Sequence, residues 1–173
     1  MGVVLSSADA ATLPPGTRVV PVAPRAATWA AWSLVPTTSL YRVPDGVADD
    51  AAATMSVNPP TAVGLLDEVS LSSGDTIIQN GATTAVGKLV LQLAASRGLK
   101  SVNIVRDREE GALAAVVAEL TRLGGGSDAV TVLTETQADK LSSSEAAALG
   151  GGAALGLNCV GGRAANAVVK LLG

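Results

Sequence analysis

Residues 80–87 read Asn-Gly-Ala-Thr-Thr-Ala-Val-Gly and follow directly on the β-rich run Thr76-Ile77-Ile78-Gln79. A strand that passes through a glycine turn into a helix can bind a pyrophosphate. The first N–H groups of the helix lack partners in the chain and point at the anion, and the helix dipole adds positive potential there. Gly81 suits the tight turn, and Gly87 lets the helix pack closely on the strand. Thr84 stands where the middle glycine of the usual dinucleotide fingerprint would let the backbone approach the phosphate most closely. The hydroxyls of Thr83 and Thr84 offer hydrogen bonds in its place. Thr83, Thr84, Ala85, Val86 and Gly87 are therefore candidate phosphate ligands. An ordinary strand-to-helix turn would have the same outline.

A second cluster, Arg106-Asp107-Arg108, follows the next apolar run, Ser101 to Val105. In a site for NAD this region usually offers a carboxylate to the ribose 2′-hydroxyl. Here two guanidinium groups flank one carboxylate, and arginine is suited to bidentate capture of a phosphate such as the 2′-phosphate of NADPH. Asp107 could pair with either arginine, and a charged run can also be a solvated loop. The two clusters support one another, because turns after neighbouring parallel strands face one crevice.

The elements that must position these residues alternate in period. Strands are expected at Thr76–Gln79, Ser101–Val105, Ala129–Leu133 and Leu155–Val160. Helices are expected at Ala85–Arg97, stopped by Gly98, around Leu113–Leu120, stopped by Gly124-Gly125-Gly126, near Thr136–Leu149, and from Ala164 to Leu172. Such alternation implies an α/β fold, a doubly wound parallel sheet of about four strands with helical crossovers. Before Ser70 the pattern differs. Short apolar runs (Val3–Leu5, Arg18–Val22, Trp29–Val35, Leu40–Val43) are punctuated by Pro21, Pro24, Pro36 and Pro44, as in part of a small β-domain. Asp49 or Asp50 is placed to cap a short helix, and Asn58-Pro59-Pro60 to open another running to about Asp67. The division expected is 1–70 for the β-domain and connecting helices and 71–173 for the nucleotide-binding part.

Composition narrows the chemistry. With 48% apolar and 16% charged residues and a net charge of −3, the 173-residue chain has no basic footprint for nucleic acid. It has no histidine, which excludes imidazole catalysis and histidine metal ligation within it. Cys159 is the sole cysteine, so no internal disulfide or cysteine-rich zinc cluster forms, and it reads as a buried thiol in an apolar strand. No metal site and no catalytic residue is assigned. No run reaches the ~18 apolar residues of a membrane span, and the first residues read as an apolar strand and not as a targeting segment.

The run Ile78 to Lys88 resembles the nucleotide loop of the mitochondrial trans-2-enoyl-CoA reductases, a zinc-free branch of the medium-chain dehydrogenase/reductases. Val105-Arg106-Asp107-Arg108 is similar to their Arg-Asp-Arg triplet. Leu157-Asn158-Cys159-Val160-Gly161-Gly162 is similar to their fourth-strand signature near the nicotinamide. Val57-Asn58-Pro59-Pro60-Thr61-Ala62 resembles the segment whose asparagine, here Asn58, contributes to the cofactor site. Pro15 to Pro21 and Thr28-Trp29 fit the end of their GroES-like β-barrel domain. The resemblance implies a Rossmann-like domain, NADPH, an enoyl thioester substrate, mitochondrial fatty-acid synthesis and a homodimer in full-length relatives. A non-catalytic subunit and a quinone oxidoreductase-like enzyme are the alternatives. The match implies the middle half of such an enzyme, with the family's catalytic tyrosine before Met1 and Tyr41 left to packing. On this reading the fourth strand is an open edge and the last helix lacks its full seat. The chain alone is then expected to be marginally stable and not to turn over enoyl-CoA.

Overall fold

The computed structural model describes residues 1–22 and 28–172, so Pro24 lies outside the described residues. The chain forms two compact units, Met1–Asn58 and Pro59–Gly173.

The first unit holds a three-stranded antiparallel sheet, β1 (Gly2–Val3), β2 (Arg18–Pro21) and β3 (Leu40–Arg42), in that order. Alternation along β2 sends Val19 to one face, with Val4 and Leu13, and Val20 to the other, with Val43 and Ala52. Ala52 lies on the short helix α1 (Asp49–Thr54). Neither Asp49 nor Asp50 caps this helix. Ala48 takes the cap position without a side-chain bond, and the Asp49 carboxylate is drawn instead into a 2.6 Å ion pair with Arg18. The expected run at Trp29–Val35 is not a strand. Trp29, Trp32 and Leu34 are exposed there, and among the described residues the segment has no partner strand. Tyr41 does not pack as expected. Its residue is 53% exposed, lying outside the cluster that Val20 and Val43 form with Ala52.

The second unit is the α/β part. Its parallel sheet contains β4 (Thr76–Asn80), β5 (Lys100–Val105), β6 (Val130–Thr134) and β7 (Leu155–Leu157), in the order β6-β5-β4-β7. The order turns back after β6, so β4 lies between the first crossover and the last, which is the doubly wound pattern. Helices α2 (Asn58–Asp67), α3 (Ala85–Ser96) and α4 (Glu110–Leu123) cover one face. There Ala62, Leu66, Ile77, Val90 and Ala94 form one cluster, and Leu91, Val105 and Leu120 belong to the next. Helices α5 (Glu135–Lys140), α6 (Ser143–Gly150) and α7 (Ala164–Leu172) cover the other, against Ile78, Val102 and Ile104. Ile77 and Ile78 are both fully buried on opposite faces of one strand, each worth roughly 1.5–3 kcal/mol relative to exposure.

Two expectations are corrected here. The single helix near Thr136–Leu149 is two helices, because Thr134 and Ser142 each open a capping box, with Gln137 and Glu145 respectively. The last strand ends at Leu157 and not at Val160. Helix α7 buries Ala167, Val168 and Leu171 against the Ile78 face, where the missing side chain at Gly156 leaves room for Val168 and Leu172, while Val169 stays exposed. β7 pairs with β4 alone among the described residues.

The Glu145 carboxyl is held below the ordinary carboxylate range by the Ser142 hydroxyl first, then by the Ser142 N–H. A depressed acid stabilises the fold above its unfolded range, and that contribution is lost as the pH falls through the folded value. An NMR titration should place the Glu145 midpoint below that of a glutamate peptide. Glu145→Gln, which preserves the box, should flatten this part of the acid dependence of unfolding.

Candidate functional site

Strand β4 delivers the chain to a turn closed by the Thr84 N–H on the Gly81 carbonyl at 2.9 Å, with Gly81 in the left-handed region at φ 65°. Thr84 is the N-cap of α3, and its Oγ1 accepts the Gly87 N–H at 3.1 Å. The expected use of this hydroxyl is thus divided: one lone pair caps the helix, while its O–H remains available to donate. The N–H groups of Ala85 and Val86 find no acceptor among the described residues, nor does Thr83 show a side-chain hydrogen bond there. Thr84 and Ala85 are exposed at this helix start. Gly87 is where the helix touches the strand. A Cβ built there would lie 2.6 Å from the Gly81 carbonyl oxygen and 2.8 Å from the Ala82 Cα.

Because β4 and β5 run parallel with Asn80 opposite Ile104, the turn at 81–84 and the loop at 106–109 leave the same edge of the sheet from neighbouring strands. Arg106 is exposed, and its guanidinium makes no hydrogen bond or ion pair among the described residues. Arg108 folds along the loop and donates to the Arg106 carbonyl at 3.1 Å. Asp107 pairs with neither arginine. It accepts from the N–H and hydroxyl of Thr136 at 3.3 and 3.0 Å, at the start of α5. The Thr134 hydroxyl first, and then Thr136, hold its carboxyl below the ordinary range, so it is ionised at neutral pH. The helix start and the free guanidinium together suit an anionic dinucleotide with an additional phosphate. Asn58 opens α2 as the last residue of the other compact unit.

Four amides to which the sequence motifs assign no side-chain role of their own, Gln79, Asn80, Asn103 and Asn158, hold this edge together. Gln79, Asn80 and Asn103 are buried within otherwise apolar strands. Gln79 donates to Asn103 Oδ1 at 2.7 Å and to the Gly87 carbonyl at 3.1 Å, tying β5 and the start of α3 to β4. Asn80 reaches across to Asn158 and its neighbours after β7. A carboxamide inside a run such as Ile77-Ile78-Gln79-Asn80 is the signal that would have found them, since a buried amide needs partners. The same contact corrects Cys159, which lies beyond β7 and is exposed and not buried. Its backbone N–H is taken by Asn80, which turns the chain out of the sheet. Among the described residues no group of histidine, cysteine, aspartate and glutamate could hold a metal, and no helix is long and apolar enough to cross a membrane.

Curated relatives match most of this chain. The mitochondrial enoyl-acyl-carrier-protein reductase of Xenopus tropicalis is 40% identical over 159 residues, 91% of this chain and 44% of the relative. The human protein of the same name is 33% identical over 171 residues, 98% of this chain and 44% of the relative. The chain is a homologue of the mitochondrial enoyl reductases. Solved structures of that group superimpose on it. The Etr1p complex with NADP and crotonyl-CoA has a TM-score of 0.76 at 30% identity, covering 93% of this chain and 48% of that one. A mutant enoyl thioester reductase from Candida tropicalis has a TM-score of 0.75 at 29% identity, over 91% of this chain and 47% of that one. The chain therefore spans less than half the length of the reductases it matches. No protein-family model matches it.

Proposed function

We propose that the chain is the cofactor-binding part of a mitochondrial enzyme that reduces 2-enoyl thioesters with NADPH. The observation that carries this is the free start of α3 beside the Arg106–Arg108 loop, on a fold shared with a reductase solved with NADP and crotonyl-CoA. The Ala85 and Val86 N–H groups and the Thr83 and Thr84 hydroxyls would hold the pyrophosphate, with Gly87 keeping the helix start tight on the strand. Arg106, with Arg108 beside it, would hold the 2′-phosphate. Asp107 is engaged by Thr136, so the loop offers its cations outward with its carboxylate already satisfied. Bound NADPH would supply a hydride for C3 of the enoyl group, with the thioester oxygen carrying the enolate charge until a proton is added at C2. Asn58 is carried as a further cofactor contact, and a homodimer as the assembly, both on family likeness.

Calorimetric titration of the chain with NADPH and with NADH tests the reading. NADPH should bind at least about tenfold more tightly, the effect of one charge-assisted contact to the extra phosphate. Equal affinities, or a preference for NADH, would overturn the cofactor assignment.

A further inference from the structure

Asn80 is 1% exposed at the end of the central strand, yet its carboxamide makes no use of its own neighbourhood in sequence. Its Nδ2 donates to Asn158 Oδ1 at 2.7 Å and to the Ala164 carbonyl at 3.3 Å, and its Oδ1 accepts the Cys159 N–H at 2.6 Å. Asn158 and Cys159 lie in the connection between β7 and α7, and Ala164 is the first residue of α7. Asn158 Oδ1 also accepts the Gly161 N–H at 3.0 Å, so the hold extends into the Gly161-Gly162 turn. Sterics act in the same place. A Cβ on Gly81 would meet Val160 Cγ2 at 3.4 Å and the Cys159 Cβ at 3.5 Å, so the space between the phosphate turn and this connection would be filled by a single added methyl. The crevice of a doubly wound sheet opens at the carboxyl edge where the strand order reverses, here between β4 and β7. A dinucleotide anchored at the start of α3 and on the β5 loop must pass its other half across β7, beside residues 158–162.

We propose that Asn80 is a positioning residue that sets the nicotinamide half of the site. It touches no cofactor atom itself, but fixes the 158–164 connection relative to the phosphate turn. This deepens the NADPH reading above and rests on it. Neither substitute serves: an aspartate, of the same length, would present oxygen to the Asn158 and Ala164 oxygens, and an alanine would remove the acceptor of the Cys159 N–H and both donor contacts.

The test compares two ligands on the full chain and on Asn80→Ala: NADPH, and adenosine 2′,5′-bisphosphate, which carries the 2′-phosphate end without the nicotinamide. Asn80→Ala should weaken NADPH about tenfold, the effect of one or two lost hydrogen bonds, and leave the bisphosphate within about twofold. Asn158→Ala, a substitution at an exposed position, should give the same split and covers the case in which Asn80→Ala does not fold. Equal weakening of both ligands, or of neither, in the folded variants would overturn the positioning role. If the unaltered chain binds neither ligand, the NADPH reading itself fails and the proposal falls with it.

Discussion

Gly87→Ala is expected to destabilise the second unit by roughly 1–3 kcal/mol, the usual range for forcing a methyl into filled space, and to abolish measurable NADPH binding. The added carbon would meet the Gly81 carbonyl oxygen at 2.6 Å and Ala82 backbone atoms at 2.8 and 2.9 Å, and none of these is a flexible side-chain end that could swing aside. The relief open to the protein is a shift of α3 away from β4. That shift breaks the Gln79–Gly87 bond and moves the Thr84 cap, the Ala85 and Val86 N–H groups and the helix dipole off the phosphate position together. Gly64→Ala is the matched control. Gly64 lies within α2 with open space where its Cβ would be, so alanine there should be neutral or stabilise by roughly 0.5–1 kcal/mol. Urea unfolding of the two variants reads the contrast. Equal effects from both would mean that the close helix–strand approach is not what position 87 requires.

The double change Arg106→Ala with Arg108→Ala is expected to weaken NADPH roughly 10- to 100-fold, from charge-assisted hydrogen bonds worth ~1.5–3 kcal/mol, and to leave NADH within about twofold. Arg106→Ala should produce most of that loss, because its guanidinium is free whereas Arg108 spends one donor on the Arg106 carbonyl. Stability should hardly change, since neither arginine forms an ion pair among the described residues. Calorimetry with both cofactors separates this from a general loss of binding: parallel weakening of NADH would mean that the arginines steer any dinucleotide and do not select the phosphorylated one.

The α/β part was legible because its signals are local. Ile77-Ile78 and Val102 to Val105 are strand runs, Val86, Leu89, Val90 and Leu93 share a helical face, and Gly98 adopts the positive φ of 69° that ends the helix before β5. Gly81 and Gly87 could be assigned roles from the phosphate chemistry alone. The break between α5 and α6 was equally local, since Thr134…Gln137 and Ser142…Glu145 are both capping-box spacings, but a continuous Ala-rich pattern obscured it. Other features depended on partners far away in sequence. Cys159 looked like the end of a strand until Asn80, 79 positions earlier, took its N–H. Asp49 looked like a cap until Arg18, 31 positions earlier, took its carboxylate. Apolar character at Trp29–Val35 carried no period and finds no strand to pair with among the described residues.

Phosphorus NMR of NADP⁺ titrated with the chain observes the selecting group itself. Recognition by Arg106 and Arg108 requires the 2′-phosphate resonance to shift on binding, together with the pyrophosphate pair at the start of α3. In Arg106→Ala the 2′-phosphate signal should return toward its free position while the pyrophosphate signals stay perturbed. A bound complex in which the pyrophosphate moves and the 2′-phosphate of the unaltered chain does not would contradict the account.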